Sequence, residues 1–394
     1  MASDEPQPPQ YRGVSARSRS VDRSSIRIMF DRAADYDGDL VHLEIGEPDF
    51  DTPEHIVQAG AQAAEAGKTD YTANAGLLNL REAIARHGKL GADYNPATDI
   101  VVTNGGMEAL YLAMLTVVDS GDEVIIPTPA WPSYQAQTKM VGGVPKTVPL
   151  SGGSFEIDLD TIEETISDDT SLVVLTRPSN PTGRIYDASK VEQIADLAEE
   201  HDAYLLVDEV YNTIVYDDES VAIADTIGKA DHLLIVNSCS KRFAMTGWRV
   251  GWLAGPEDVI SQATKLHENT TACASNVSQH AAIAALEGPK EPVRRMNEKY
   301  RERRDRVADR VDSLQGVSCP VPEGSFYAFL DMRDTGLSSE EISERLLLDH
   351  GVVTAPGSGF GDAGDGFVRI SFANNINRVN EGLDRIEAFL NEVL

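Results

Sequence analysis

The stretch SCSKRFAMTGWRVG, Ser238 to Gly251, sets Lys241 among small and apolar residues and places Arg249 between Trp248 and Val250. A lysine held where water is scarce has its amine pKa lowered, which suits Schiff-base chemistry on a carbonyl. An arginine flanked by apolar residues calls for an anion nearby, so neither cation reads as ordinary surface charge. The segment asks for a carbonyl and an anion together.

Working outward, the segments upstream supply strands that end in polar residues. TSLVVLTRPSNPTG reads as a buried strand closing in a loop that carries Asn180, and AYLLVDEVYNTIVY as another that runs into Asp208, Glu209 and Tyr211. In DIVVTNGGMEALYLAMLTVV an apolar strand ends at Asn104, Gly105 and Gly106, and a helix begins at once. Glycine there bares the first backbone N–H groups of the helix, where the dipole favours an anion; the turn is either a phosphate cradle or simply tight. Trp131, set between prolines in GDEVIIPTPAWPSY, is either a ring that lies over a flat cofactor or a core tryptophan. Strands alternating with helices such as SKVEQIADLAEEH predict an α/β fold with a mainly parallel sheet flanked by helices, whose ligands gather beyond the carboxyl ends of the strands. Gly105, Gly106, Asn180, Asp208 and Lys241 all fall at such ends. An aspartate closing an apolar strand is partly desolvated and wants a cationic partner. Pyridoxal 5'-phosphate carries a carbonyl and an anion on one molecule.

The flanks read differently. Residues 20–40 have helical spacing through Ile26, Ile28, Met29, Phe30 and Ala33, and the strand VHLEIG and the turn GEPDFDTP follow, where Gly46 permits close backbone approach to a ligand. Helical spacing returns from His55 to Ala66 and again from about Leu78, with Tyr71 between them as either packing or a functional phenol. Beyond residue 290 come a long charged helix, the strand SFYAFLDM, a helix near EEISERLLLDHG, the strand of GVVTAPG and the strand FVRISFA. Alternation places Arg369 in the last strand either on a solvated face or toward a cleft, where its planar fork suits a carboxylate. The expected division is a mobile tail over 1–20, a large domain over 45–295, and a smaller α+β domain from 21–44 plus 296–394.

These residues resemble the class I/II aminotransferases, the pyridoxal-phosphate enzymes of fold type I that include aspartate and aromatic aminotransferases. Ser238 to Gly251 matches the family's lysine signature, and GEPDF, YT-x3-GL-x2-LREAIA, SNPTG, DEVY and VRISFA match in order along nearly the whole chain. The resemblance implies that Lys241 carries the cofactor as a Schiff base and moves the proton at the substrate's alpha carbon. It implies that Asp208 pairs with the ring nitrogen, that Tyr211 and Asn180 bind the ring's phenolic oxygen, and that Trp131 stacks on the ring. Arg249, Ser238 and the backbone N–H groups of Gly105, Gly106 and Met107 would hold the phosphate, with Met107 helping only through its main chain. Tyr71 resembles the tyrosine that reaches the phosphate of the neighbouring subunit, which implies a homodimer with shared sites. Arg369 resembles the arginine that grips the alpha carboxylate, assisted by Asn180 and the backbone of Gly46. Thr271 stands where dicarboxylate-specific relatives carry a second arginine, which speaks against that mode of reading an acidic side chain. The reaction implied is exchange of an amino group between an amino acid and a 2-oxo acid; the alternatives on the same residues are a beta-lyase and a cyclopropane-forming synthase. A non-catalytic ligand sensor fused to a DNA-binding module would need more than the short N-terminal tail.

Composition bounds the rest. The chain has 394 residues with 41% hydrophobic, enough for a large core, and no apolar run long enough to cross a bilayer. Its start, MASDEPQPPQYRG, has no apolar signal core, which reads as cytoplasmic. Cys239, Cys273 and Cys319 are scattered without metal-type spacing, so neither a disulfide framework nor a zinc site is expected. The balance of 34 basic against 64 acidic residues, a formal charge of −30, disfavours nucleic acid and anionic membranes as partners. The acids lie in short patches along the chain, which reads either as adaptation to high salt, the mark of an acidic, halophilic proteome, or as an ordinary acidic protein. Self-repulsion at this charge is relieved by screening. The halophilic reading predicts loss of far-ultraviolet circular dichroism on dialysis into low salt; full stability there would sink it.

Overall fold

The computed structural model describes residues 13–91, 93–150, 152–217 and 222–394. Of the tail expected over 1–20, residues 1–12 lie outside the described residues, and Ala16–Ser20 forms a short helix capped by the Ser15 side chain. A first strand, β1 (Val41–His42), precedes seven that build one sheet: β2 (Ile100–Thr103), β3 (Glu123–Thr128), β4 (Val144–Pro149), β5 (Thr170–Thr176), β6 (Tyr204–Asp208), β7 (Leu233–Ser238) and β8 (Gly251–Ala254). Their order is β2-β8-β7-β6-β5-β3-β4. All neighbours pair in parallel except β8, which runs antiparallel to both β7 and β2.

The mainly parallel sheet read from the sequence is the one that forms, and side-chain direction explains why its central strands are apolar along most of their length, unlike the largely exposed edge strand β4. Leu205 and Val207 point into one core with Val173, Leu175 and Ile235, beneath helices Leu78–His87, Ala188–Glu200 and Asn276–Glu287. Leu206 points the other way and joins Leu172, Val174 and Leu234, covered by helices Gly106–Val117 and Glu257–Thr270. A strand buried on both faces has no position for a polar side chain until it leaves the sheet. The polar residues are therefore displaced to the strand ends.

Four more strands follow: β9 (Tyr327–Asp331), β10 (Val352–Val353), β11 (Ala355–Pro356) and β12 (Phe367–Ser371). β12 lies between β11 and β9 in an antiparallel sheet, and β10 pairs with β1. A separate core gathers Val41 and Leu43 with Phe326, Ile370 and Phe372, under the long helix Glu291–Ser313 and the C-terminal helix Ile376–Val393. The long helix is charged on its outer face yet buries Met296, Tyr300, Val307 and Val311. From its inner face Arg303 forks onto Asp49 through bonds of 2.7 and 2.8 Å, which pins the GEPDF turn.

The helix expected over residues 20–40 is shorter, Ser25–Ala33. Its buried positions are Met29 and Ala33, which pack on Leu347 and Val353. Past Ala34 the sequence DYDGD, with three aspartates and a glycine, favours a turn, and the helix ends there while Tyr36 still packs on the same cluster from the turn.

Candidate active site

The polar residues displaced to the strand ends meet around one cavity of about 650 Å³. Asp208 closes β6, Ser238 closes β7, Asn180 follows β5, and the Gly105–Gly106 turn follows β2. Because β8 alone runs antiparallel, its amino end lies on this same edge, and that brings Arg249 in just before Gly251. Trp131 arrives from the loop after β3, and Gly46 and Arg369 from the second sheet region. Of the residues expected at the site, Gly46, Gly106, Met107, Trp131, Asn180, Asp208, Tyr211, Ser238, Lys241, Arg249 and Arg369 line the cavity.

Asp208 is 2% exposed, and burial pushes its carboxyl up to about 6. It accepts hydrogen bonds from the Tyr134 hydroxyl at 2.8 Å and from the Val210 N–H at 3.2 Å, but it has no ion pair among the described residues. Lys241 sits in the short helix Cys239–Arg242, its Nζ donating to the Gly46 carbonyl at 2.6 Å. Burial lowers its amine to about 8, with Arg369 and Arg249 pushing the same way and Glu47 and Asp208 opposing. A large neutral fraction is thus present near pH 8, as a nucleophile or base requires.

Arg369 is the complement of Asp208. It is 2% exposed, which decides against the solvated face. Nη1 donates to Asn180 Oδ1 at 3.0 Å and Nη2 to the Glu44 carbonyl at 2.6 Å, while the buried Nε finds no acceptor among the described residues. Its guanidinium carbon lies 4.2 Å from the centre of the Tyr327 ring, and the Tyr327 hydroxyl is 2.9 Å from that of Tyr211. Burial raises both phenol pKa values, so both hydroxyls remain protonated donors.

Arg249 differs from the expectation of a cation enclosed by apolar neighbours. It is solvent-exposed at a left-handed φ of 53°, and its guanidinium donates to the carbonyls of Thr246 at 2.8 Å and Asn104 at 3.2 Å. Val250 is buried and Trp248 packs on the core, but the backbone turns Arg249 away from both and onto the Gly105 turn. Gly105 itself has a φ of 87°, and a Cβ there would collide with the Arg249 guanidinium. The turn opens helix Gly106–Val117, whose first N–H groups have no intrahelical acceptor. Ser238 is buried and its Oγ caps the Ser240 N–H at 3.3 Å. Trp131 stands edge-on to Tyr134 with ring centres 5.6 Å apart.

Of the expected site residues, Gly105 and Tyr71 are not among those that line the cavity, Gly105 by one position in the turn and Tyr71 altogether. Tyr71 is 87% exposed and lines a different depression beside Cys273 and Asn276. Thr271, on the same side, donates its hydroxyl to the Glu108 carboxylate. Several lining residues escape the sequence reading: Tyr134, Thr176 and Tyr327, and Ile26, Arg27 and Phe30 from the N-terminal helix. Tyr134 follows Trp131 closely, but its bond to Asp208 joins helix Ser133–Val141 to a strand distant in sequence, which no spacing reveals.

The donor set fits pyridoxal phosphate. Among the described residues, a buried carboxylate without an ion pair, a buried guanidinium without one, an amine lowered to about 8 and a helix-opening turn beside an arginine bound only to carbonyls offer partners for ring nitrogen, substrate carboxylate, aldehyde and phosphate respectively.

Residues 38–386 match the family model described as aminotransferase class I and II. The chain is similar to aromatic-amino-acid aminotransferase 2 of Thermococcus litoralis, at 39% identity over 96% of this chain and 98% of that protein. It is also similar to the aspartate aminotransferase of Pyrococcus horikoshii, at 38% over 96% and 97% respectively. Among solved structures, Thermus thermophilus aspartate aminotransferase with maleate superposes with a TM-score of 0.91 at 35% identity, over 96% of this chain and all of that one (100%).

Asp208 gives a test in the ligand-free protein. A carboxyl raised from 3.8 to about 6 favours the folded state fully below 3.8, and that benefit is lost as pH rises through 6. Asp208→Asn is therefore expected to stabilise the ligand-free protein above pH 7 by about 2–3 kcal/mol, fading to nothing near pH 4. Denaturant midpoints across that range measure it; a loss of stability at pH 7.5 would contradict the buried, uncompensated charge.

Proposed function

The chain belongs to the class I and II aminotransferases, and from that membership we propose how its own residues carry the reaction. The activity is exchange of an amino group between an amino acid and a 2-oxo acid, with pyridoxal 5'-phosphate as cofactor. Relatives named as aminotransferases over the full length leave the beta-lyase and cyclopropane-forming readings without favour. When bound, the cofactor supplies an aldehyde carbon that takes the amino group and a ring that draws electrons from the substrate's alpha carbon.

The observation that carries the assignment of roles is the meeting of Lys241, Asp208 and Arg369 on one cavity. Lys241 would hold the cofactor through its aldehyde carbon, and its buried amine, lowered to about 8, would serve as the base and acid that moves the proton at the substrate's alpha carbon. Asp208 keeps the ring nitrogen protonated, because burial makes an unpaired carboxylate costly and a cation beside it relieves that cost. Tyr134 holds the other side of that carboxylate and fixes its direction. Tyr211 and Asn180 would hold the ring's phenolic oxygen, and Trp131 would pack on the ring. Arg249, Ser238 and the N–H groups of Gly105, Gly106 and Met107 hold the phosphate. Arg369 grips the alpha carboxylate, with Asn180 and the Gly46 backbone beside it.

The exposure of Tyr71 supports a homodimer in which it reaches the partner's phosphate: a phenol 87% in water on its own chain has no role there. The second core draws mostly on residues 41–43 and 296–390 and so supports a small domain over 21–44 plus 296–394 beside a large one over 45–295, although Phe329, Ala355, Phe360 and Phe367 pack into the large core and Tyr211, Ile214 and Tyr216 into the small one. Free cysteines at 239, 273 and 319 fit a reducing cytoplasm, and no helix among the described residues is long and apolar enough to cross a membrane.

A single-turnover screen tests the reading. An amino acid added to the holoenzyme should bleach the cofactor's visible absorbance and release its oxo acid, and a second oxo acid should restore it. Lys241→Ala should lower turnover by three orders of magnitude or more, roughly the contribution of a positioned base plus nucleophile, with the far-ultraviolet spectrum unchanged. Normal turnover in that variant would contradict the assignment.

A further inference from the structure

An exchange in two stages brings two different acids into one cavity in turn. Arg369 and Lys241 serve groups that both acids share, so the difference between them falls on the wall that meets the side chain. Among the described residues that line the cavity, the cations are Arg27, Lys241, Arg249 and Arg369. Arg369 serves the alpha carboxylate, Lys241 the chemistry and Arg249 the phosphate. Arg27 is left over.

Arg27 belongs to helix Ser25–Ala33, where Met29 and Ala33 anchor one face to the protein. Ile26, Arg27 and Phe30 share another face at helical spacing and turn it to the cavity. The Arg27 side chain is 68% exposed, its Nε is 3.9 Å from Asp31 Oδ1, and Asp31 is also bound by Arg23. An exposed contact of that length is worth little, so the guanidinium is free to turn. Its carbon lies 4.8 Å from the Phe30 ring centre, a weak cation–π contact that parks it at the rim. Ile26 and Phe30 line the cavity from the same helix and Met107 and Leu110 line it from helix Gly106–Val117, with Ser24, Glu44 and Glu47 among the polar lining residues. An aromatic or aliphatic side chain finds apolar surface there, and would cover Phe30 and Met107, which are otherwise exposed. A distal carboxylate finds one cation.

We propose that Arg27 is the specificity-determining residue that binds the distal carboxylate of a dicarboxylic substrate, while Ile26 and Phe30 on the same helix face receive apolar side chains. One short face thereby reads both partners of the exchange. The proposal rests on the aminotransferase reading. It also accounts for acidic substrates without the second arginine that Thr271 replaces, and Thr271 does not line this cavity.

The test compares glutamate with phenylalanine as amino donors for the holoenzyme, wild type against Arg27→Met and Arg27→Lys. A charge-assisted hydrogen bond predicts that Arg27→Met lowers the glutamate-to-phenylalanine ratio of kcat/KM by about tenfold or more, through KM for glutamate rather than kcat. Arg27→Lys should recover much of that ratio. A ratio within about threefold of wild type in Arg27→Met, or a wild type that takes phenylalanine but no dicarboxylic acid, would overturn the proposal. A wild type that transfers nitrogen from neither donor nor any other amino acid would instead overturn the function it rests on.

Discussion

Everything at the site depends on two buried charges of opposite sign that the protein leaves apart. Asp208 ends an apolar strand with hydrogen bonds and Arg369 lines the same cavity with hydrogen bonds, and among the described residues neither makes an ion pair. Each is expensive to keep in this state, since a charge taken from water without a partner costs several kcal/mol in effect. Joining them to each other would remove the cost and the function together. Holding them on separate sheets leaves both demands open for the cofactor ring and substrate carboxylate that we propose they meet.

The sheet topology makes this separation possible. Strands buried on both faces expel polar groups to their ends, so one edge collects Asp208, Asn180, Ser238 and the Gly105 turn without any local instruction to do so. The single antiparallel strand, β8, adds an amino end to that edge and with it Arg249. The GEPDF turn, pinned through Asp49 to Arg303, carries the Gly46 carbonyl to Lys241. The small antiparallel sheet holds Arg369 between the Tyr327 and Phe360 rings, which shape a dry socket for its planar fork.

Much of this is legible in the sequence because strand periodicity and strand ends are local signals. Continuous apolar runs such as LLVD mark the parallel sheet, and the residues closing them mark the site. What is not legible is whatever depends on contacts between distant segments. Tyr134 is an ordinary tyrosine near a proline until the fold sets it against Asp208, and Tyr327 until it meets Tyr211 and Arg369. The enclosure expected for Arg249 fails because apolar neighbours in sequence point elsewhere when the backbone enters a left-handed turn. The N-terminal helix is shorter than its spacing suggests because apolar spacing alone does not say where a turn begins. Arg27 has no signal at all: only the closure of that helix over the cavity gives it one.

The central claim is that the Lys241 amine, kept reactive by burial, is the group that takes the cofactor. Borohydride reduction of the holoenzyme followed by peptide mass spectrometry tests it most directly. The expected result is one pyridoxyl group per chain, on the peptide that carries Lys241. A pyridoxyl group on any other lysine, or none on a protein that still binds the cofactor, would contradict it.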